Sequence, residues 1–439
     1  MFSREVTHIL TQLEAAGHSA YAVGGCVRDF LRGVEPHDVD ITTSARPEEV
    51  MALFAPHAIP TGLQHGTVTV RENHQSFEVT TFRADGPYSD GRRPDSVAFS
   101  TDLHEDLQRR DFTVNAMAMD VRGQLHDPYG GRQDLERKVI RCVGAAEKRF
   151  GEDALRIMRG LRFAATLGFN IEEETARAMI ACAPRLQMIA AERIHEEMTK
   201  LLCGDHALPV LLAYPKILGV FLPEILPCVG FDQQNRHHCY DVWEHTVRAV
   251  AAAPKDALLR WTMLLHDIAK PEKFTVDEKG VGHFYGHDVR GAEMAREIMH
   301  RLRFDRRSAA RIELLVLWHD RDIARTEKAI GKALNAMGEE ALRQLIAVKR
   351  SDNMAQHPDY RSVQQELDKA EIILAAVLEK EQCFSIRHLA VNGRDLMALG
   401  LQGASIGAAL DELLEQVVEG NLPNEKEFLL GWIKENKKP

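Results

Sequence analysis

The texture of this chain changes once, near residues 145–150, and that change restricts its fold more than any other feature. Up to about residue 145, short apolar runs such as "YAVGG", "DVDIT", "GTVTV" and "FEVTTF" alternate with turn-rich loops, which is how strands read. From about residue 150 the apolar positions recur at helical spacing, as in "ALRIMRGLRFAATLGF", "RIHEEMTKLL" and "ALLRWTMLLHDIAK". The pattern predicts an α+β protein: an α+β head of small sheet and helices followed by a long all-helical body. At 439 residues the chain is too long for one ordinary core. Its 45% hydrophobic and 27% charged content is that of a globular protein, not a disordered one. No apolar run approaches the roughly 20 residues of a membrane span. The charged N-terminus reads as an amphipathic helix, not an export signal. Seven cysteines, an odd number without a CxxC pair, fit reduced thiols in the cytoplasm. A formal charge of −10 argues against indiscriminate coating of nucleic acid but permits a local basic groove.

The stretch "GGCVRDFLRGVEPHDVDIT" (24–42) combines a bare backbone, a cation and two carboxylates. Alternate residues of a strand face the same way, so Asp38 and Asp40 project together while Val39 turns to the core. Two carboxylates so close repel unless a cation lies between them, and Mg2+ is the hard, oxygen-seeking ion that suits such a pair. Gly24 and Gly25 let the backbone approach a bulky anion, and Arg28 can grip phosphate oxygens. Without those glycines and Arg28, a tight turn followed by a solvated strand would be the better reading. Glu78, in "FEVTTFR", is either a third carboxylate or a structural strand acid.

"GEDALRIMRGLRF" (151–163) reads as the start of a helix with acids in its first turn. Asp153 and Arg156 share a face, and Arg159 and Arg162 follow on it. A salt-bridged surface helix would look the same. An aspartate beside an arginine can also read a base: the carboxylate accepts from an exocyclic amine, and the guanidinium donates to a ring nitrogen or carbonyl. Cytosine and adenine both offer that amine, whereas uracil and guanine present a carbonyl oxygen. The pair therefore admits C and A and rejects U and G.

"GGCVRDFLRG…HDVDIT" resembles the signature of the polymerase-β-type nucleotidyltransferases, in particular of bacterial class II CCA-adding enzymes and their poly(A) polymerase relatives. "RRDFTVNAMA" (109–118), "DPYGGRQDL" (127–135), "EDALRIMRGLRFA" (152–164) and "ERIHEEMTKLL" (192–202) resemble the family's further motifs in order. The resemblance resumes at "LAVNGRDLMALGLQGASIGAALDELLEQVVEGNLPNEKE". It implies Mg2+-dependent transfer from CTP and ATP to the 3′ end of tRNA, with no nucleic-acid template. Asp38 and Asp40 would be the catalytic metal ligands. Gly25, Arg28, Arg110, Asp111, Asp153, Arg156, Arg159 and Arg162 would bind the nucleotide. Arg110 and Asp111 would contact its sugar and phosphates, with Arg109 and Asn115 behind them. The loop "ADGPYSDGRRPDSV" (84–97) matches a flexible loop that helps the family switch from C to A, which favours full CCA addition.

A second constellation follows: His245, the pair His266–Asp267, His287, His319 and Asp352. This order resembles the HD superfamily of metal-dependent phosphohydrolases. Imidazoles and carboxylates from separate helices can hold a transition metal that activates water toward a phosphate ester. The resemblance implies a site of His245, His266, Asp267 and Asp352 for Ni2+, Co2+ or Mn2+. The run "RLRFDRRSAAR" (301–311) is either a solvated face or a phosphate-contacting patch, and the basic end "KENKKP" reads as frayed. The resulting partition is a head at 1–145, a helical neck and nucleotide-recognition region at 146–225, an HD-type domain at 226–355 and a tRNA-binding tail at 356–439. The rival readings are a poly(A) polymerase of the same fold and an HD-type nucleotide hydrolase or sensor whose head merely binds nucleotide.

Overall fold

The computed structural model describes residues 2–36, 38–86, 96–322, 325–379 and 386–436. Two compact units make up the chain, residues 1–226 and 227–439.

The first unit opens with α1 (Arg4–Ala15), started by Ser3, whose hydroxyl accepts from the Val6 N–H. Val6, Ile9, Leu10 and Leu13 recur at helical spacing and are fully buried, so one stripe of α1 covers the sheet while the other faces water. Five strands follow with two helices between them: β1 (Ala20–Val23), α2 (Gly25–Leu31), β2 (Asp40–Thr43), α3 (Pro47–Leu53), β3 (Ala58–Gly62), β4 (Thr67–Glu72) and β5 (Gln75–Thr81). A ribbon of β6 (Arg83–Asp85) and β7 (Val97–Phe99) comes next, then α4 (Leu103–Gln108), β8 (Ala118–Met119) and β9 (Leu125–His126). The main sheet runs β3-β4-β5-β2-β1-β8-β9. Only the β2–β5 pair is parallel, with Ile41 opposite Val79. Ile41, Val68, Val70, Phe77 and Val79 turn to the same core as α1 and α3.

Five helices follow: α5 (Gly131–Arg137), α6 (Ala146–Glu152), α7 (Leu155–Leu167), α8 (Glu173–Cys182) and α9 (Ala191–Leu202). Strand signals do not end at 145, because β10 (Val139–Ile140) and β11 (Asn170–Ile171) form a two-residue parallel pair across α7. Segments that short carry no readable alternation. The unit closes with α10 (Ala207–Ala213) and α11 (Pro215–Leu218).

The second unit packs α12 (Val242–Ala252), α13 (Ala257–Leu265), α14 (Lys270–Lys273), α15 (His287–Arg301), α16 (Arg306–Trp318) and α17 (Glu327–Ala355). A small hairpin of β12 (Thr275–Val276) and β13 (Gly282–His283) interrupts them. The long α17 kinks at Gly338, whose φ of 78° is open to glycine at little cost. The chain ends in α18 (Val363–Glu379), α19 (Gly393–Ala398), α20 (Ala404–Val418) and α21 (Lys426–Asn436). The last three gather around Leu396, Leu413 and Leu429 in a small core of their own. No helix among the described residues is long and apolar enough to cross a membrane.

Candidate functional site

The glycine pair does its work at Gly24, which takes φ 82° between β1 and α2. A Cβ there would stand 2.9 Å from an Arg110 guanidinium nitrogen. Gly25 starts α2, and a side chain would meet Arg28 only at ordinary contact distance, 3.6 Å. Arg28 is buried and aimed by its neighbours: it donates to both oxygens of Asp29 and, at 2.7 Å, to Asn115 Oδ1.

The aspartate pair differs from the strand expected of it. β2 begins at Asp40, and Asp38 lies in the bend before it, while Val39 packs against the core as expected. The strand cannot extend further back because the pairing with β1 stops at Val23–Asp40, where β1 turns into Gly24. Lost hydration raises the Asp40 pKa; Arg110 opposes and the Asp38 charge adds. The chemistry of two carboxylates separated by one residue, with Asp40 at the edge of a cavity, fits a divalent cation, which Asp38 and Asp40 would hold together. Continued one residue back, the β2–β5 register sets Glu78, which is exposed, beside Asp40 on the same sheet face.

Behind Asp40 a cavity of about 480 Å³ is lined by Gly24, Gly25, Arg28 and Asp40 on the sheet side, and by Arg110, Asp111, Asp153, Arg156, Arg159 and Arg162 on the helical side. Every nucleotide-binding residue expected from the sequence is in this wall; Asp38 is not. Three guanidiniums crowd one ring: Arg28, Arg159 and Arg162 lie 5.4, 5.3 and 4.1 Å from the Phe163 centroid. Burial, and then the charges of Arg159 and Arg28, press the Arg162 guanidinium below its ordinary pKa against the pull of Glu197. Such a wall favours a polyanion.

Asp111 is buried and receives Arg159 at 2.7 Å and Asn115 at 3.2 Å. Burial would raise its carboxyl, yet Arg159 first, with Arg156 and Asn115, holds it down at about 2. Asp111 thus orients Arg159 and also lines the cavity, where the sequence reading has it contact the nucleotide. Arg110 and Arg109 both donate to Asp106, which is fully buried beneath them.

The fourth motif does start a helix, but its acids lie before that helix and not in its first turn. α6 ends at Glu152, Asp153 is extended at φ −139° and ψ 106°, and α7 begins at Leu155. The side chains of Asp153 and Arg156 do not pair with each other, although the Arg156 N–H donates to the Asp153 carbonyl at 3.1 Å. Asp153 accepts from the Leu155 N–H at 2.9 Å and from Arg193 at 3.1 Å. Arg156 donates to Glu152, to the Arg149 carbonyl and to the Arg109 carbonyl. The sequence reading missed Arg193, Glu152, Glu197 and Asp106. Arg193 and Glu197 are four apart in the fifth motif, and that one-face spacing was the available signal. The loop at 84–97 falls largely outside the described residues, as does the last part of "KENKKP".

In the second unit the six expected residues meet. His245 comes from α12, His266 and Asp267 from the end of α13, His287 from α15, His319 from the end of α16 and Asp352 from α17. Each imidazole has its Nδ1 at a backbone carbonyl: Met263 for His266, Phe284 for His287, Val316 for His319 and Ala355 for His245, at 2.6–3.3 Å. That contact fixes the tautomer and leaves every Nε2 facing inward. His245 and His266 face Asp267 Oδ2 at 3.3 and 3.2 Å, and His245 faces Asp352 at 2.9 Å. His287 and His319 face the other oxygen, Oδ1, at 3.5 and 3.6 Å. Asp267 therefore stands between two imidazole pairs, and its donors fit two adjacent cations. Burial would raise Asp267, but His266 and then Lys270 hold it well below the carboxylate range. The sequence reading placed His287 and His319 in order but left them out of the ligand set. The arginine run at 301–311 is tied down in part: Arg307 and Arg311 both reach Glu340, which favours the solvated face.

Residues 20–141 match the family model of the poly(A) polymerase head domain, and residues 168–228 that of the RNA- and SrmB-binding site of polymerase A. Residues 291–433 match a tRNA nucleotidyltransferase domain 2. The chain is 52% identical to the CCA-adding enzyme of Oceanobacillus iheyensis over 219 residues, half of this chain and 54% of that one. It is 37% identical to the CCA-adding enzyme of Geobacillus stearothermophilus over 437 residues, 98% of this chain and 96% of that one. The chain belongs to the CCA-adding enzyme family. A crystal structure of the Bacillus stearothermophilus CCA-adding enzyme in complex with CTP superposes with a TM-score of 0.74 at 33% identity, covering 98% of this chain and 96% of that one. A CCA-adding enzyme thus has the α+β head and helical body expected from the change of texture, and the family implies dependence on a divalent metal.

Proposed function

We propose that this chain completes and repairs the 3′-terminal CCA of tRNA from CTP and ATP, in the cytoplasm and without a nucleic-acid template. The observation that carries the reading is one cavity that joins the Asp40 strand end, an arginine wall and the Asp153–Arg156 pair. In the transfer, a tRNA 3′-hydroxyl gives up its proton to solvent as its oxygen bonds to the α-phosphorus, the α–β bridging P–O bond breaks, and pyrophosphate leaves. Mg2+ held by Asp38 and Asp40, when bound, lowers the charge cost of both events. Arg28, Arg159 and Arg162 bind the phosphates through positions that Asn115, Asp111 and Glu197 fix beforehand. Asp153 retains lone pairs for an exocyclic amine, and Arg156 has two N–H groups uncommitted for the base edge. Arg110 contacts the sugar or phosphates from above Asp106. The head, neck, HD-type and tail boundaries at 145, 225 and 355 belong to the same reading.

The test is to incubate tRNAs lacking one, two or three terminal nucleotides with each labelled triphosphate. Stopping at CCA supports the reading, and a long A tail favours the poly(A) polymerase rival. Asp38→Ala and Asp40→Ala should each lower both C and A addition on the order of a thousandfold, since both steps use the same carboxylates. Retention of C addition by either variant contradicts the assignment.

A second activity is supported by the four inward Nε2 atoms around Asp267 and Asp352. The site suits hydrolysis of phosphate esters such as 2′,3′-cyclic phosphates at damaged RNA ends. Water oxygen bonds to phosphorus, one ring P–O bond opens, and the released ribose oxygen takes the proton. A transition metal such as Ni2+, Co2+ or Mn2+, when bound, supplies the activated water.

A further inference from the structure

Over the second site stands a pair of rings that the ligand set does not use. β13 ends at His283, and Tyr285 follows two residues later, just before α15. Tyr285 is 77% exposed, the most exposed of the large apolar or aromatic side chains described. Its ring lies on the His283 imidazole with centroids 5.2 Å apart and planes 9° from parallel. The hairpin holds that imidazole in place: His283 Nε2 meets Asp277 at 3.2 Å, and Nδ1 meets the Tyr285 hydroxyl at 3.4 Å. Both rings line the same cavity of about 270 Å³ as Asp267, His287, His319 and Asp352.

The cavity therefore has two chemically different ends. Its floor of imidazoles and carboxylates suits an anionic ester through metal, and its rim offers a flat π-face backed by a second ring. A molecule with a phosphate ester at one end and a flat heteroaromatic ring one sugar away is a nucleotide. A simple alkyl phosphate would leave the rim in water. We propose that Tyr285, backed by His283, is a base-stacking platform that makes the second site selective for nucleoside phosphates, whether free or at the 3′ end of an RNA. This rests on the hydrolase reading of that site.

The experiment uses the full-length protein loaded with Ni2+, Co2+ or Mn2+. It compares kcat/KM for adenosine 2′,3′-cyclic phosphate, the same group on a short RNA, and glycerol 1,2-cyclic phosphate, which has no ring to stack. Tyr285→Ala should lower the nucleotide-to-glycerol ratio by roughly tenfold or more, through KM, and Tyr285→Phe should restore it. A ratio unchanged in Tyr285→Ala overturns the platform, and turnover of neither ester by the wild type with any of these metals overturns the hydrolase reading instead. A fall for RNA but not for the free nucleotide assigns the platform to RNA ends. An independent readout is the fluorescence of 2-aminopurine riboside 2′,3′-cyclic phosphate bound to metal-free protein with excess CTP filling the head. Quenching in the wild type that disappears in Tyr285→Ala supports stacking, and equal quenching in both contradicts it.

Discussion

Asp153 holds its carboxylate between the Leu155 N–H and Arg193, so its lone pairs meet a base in a fixed direction. Asp153→Ala should relax discrimination against UTP and GTP more than it weakens triphosphate binding, by about 1–3 kcal/mol per base contact. Arg193→Ala should produce a smaller loss of the same kind, because the carboxylate remains but is free to turn. Misincorporation assays on tRNA ending in CC decide this: unchanged selectivity with lower stability in both variants would make the pair merely structural. Asp111 gives a second prediction, in stability. Its folded pKa of about 2 lies below the ordinary 3.8, so its ion pair stabilises the fold in full above pH 3.8 and loses that effect as pH falls through about 2. Asp111→Asn should thus cost about 2 kcal/mol in urea unfolding at pH 7. The difference from wild type should close between about pH 4 and pH 2.

Among the elements, the short α5 explains what the third motif does. Asp127 accepts from the N–H groups of Gly131 and Arg132, and Asp134 accepts from the Thr113 hydroxyl at 2.7 Å. A Cβ on Gly131 would stand 2.2 Å from the Thr113 carbonyl oxygen. Gly131→Ala must therefore displace the segment that carries Arg110, Asp111 and Asn115. It should cost about 1–3 kcal/mol and also slow nucleotide addition at temperatures where the protein is still folded. Thermal melts beside addition assays test this, and full activity in a destabilised variant would detach α5 from the site. That support was invisible in the sequence because a backbone-to-backbone approach leaves no periodic signature. Long amphipathic segments such as α1, α7 and α9 were legible, since their buried stripes repeat over several turns. The break at Asp153 was not, because Glu152 and Asp153 read equally well as first-turn acids. Partner choice was not legible either: Arg156 lies within reach of both Glu152 and Asp153, and only packing against the Arg109 carbonyl decides between them.

At the scale of the molecule, the residues proposed for nucleotide addition lie in one compact unit and those proposed for hydrolysis in the other. His266→Ala should remove hydrolysis and leave CCA addition near wild type, while Asp40→Ala should do the reverse. Chelation followed by Mg2+ alone should restore addition and not hydrolysis, because imidazoles suit transition metals better than Mg2+. Hydrolysis that survives in His266→Ala would refute the ligand set. The six-residue cluster also bears on the history of the chain. Four buried histidines and a buried aspartate, with Asp352 half-buried beside them, are a poor filling for a helical core, and hydrophobic residues of similar volume often serve stability as well or better. The proposed second activity would account for a chain that keeps four imidazoles here, each with its carbonyl contact, where an apolar core would serve folding as well.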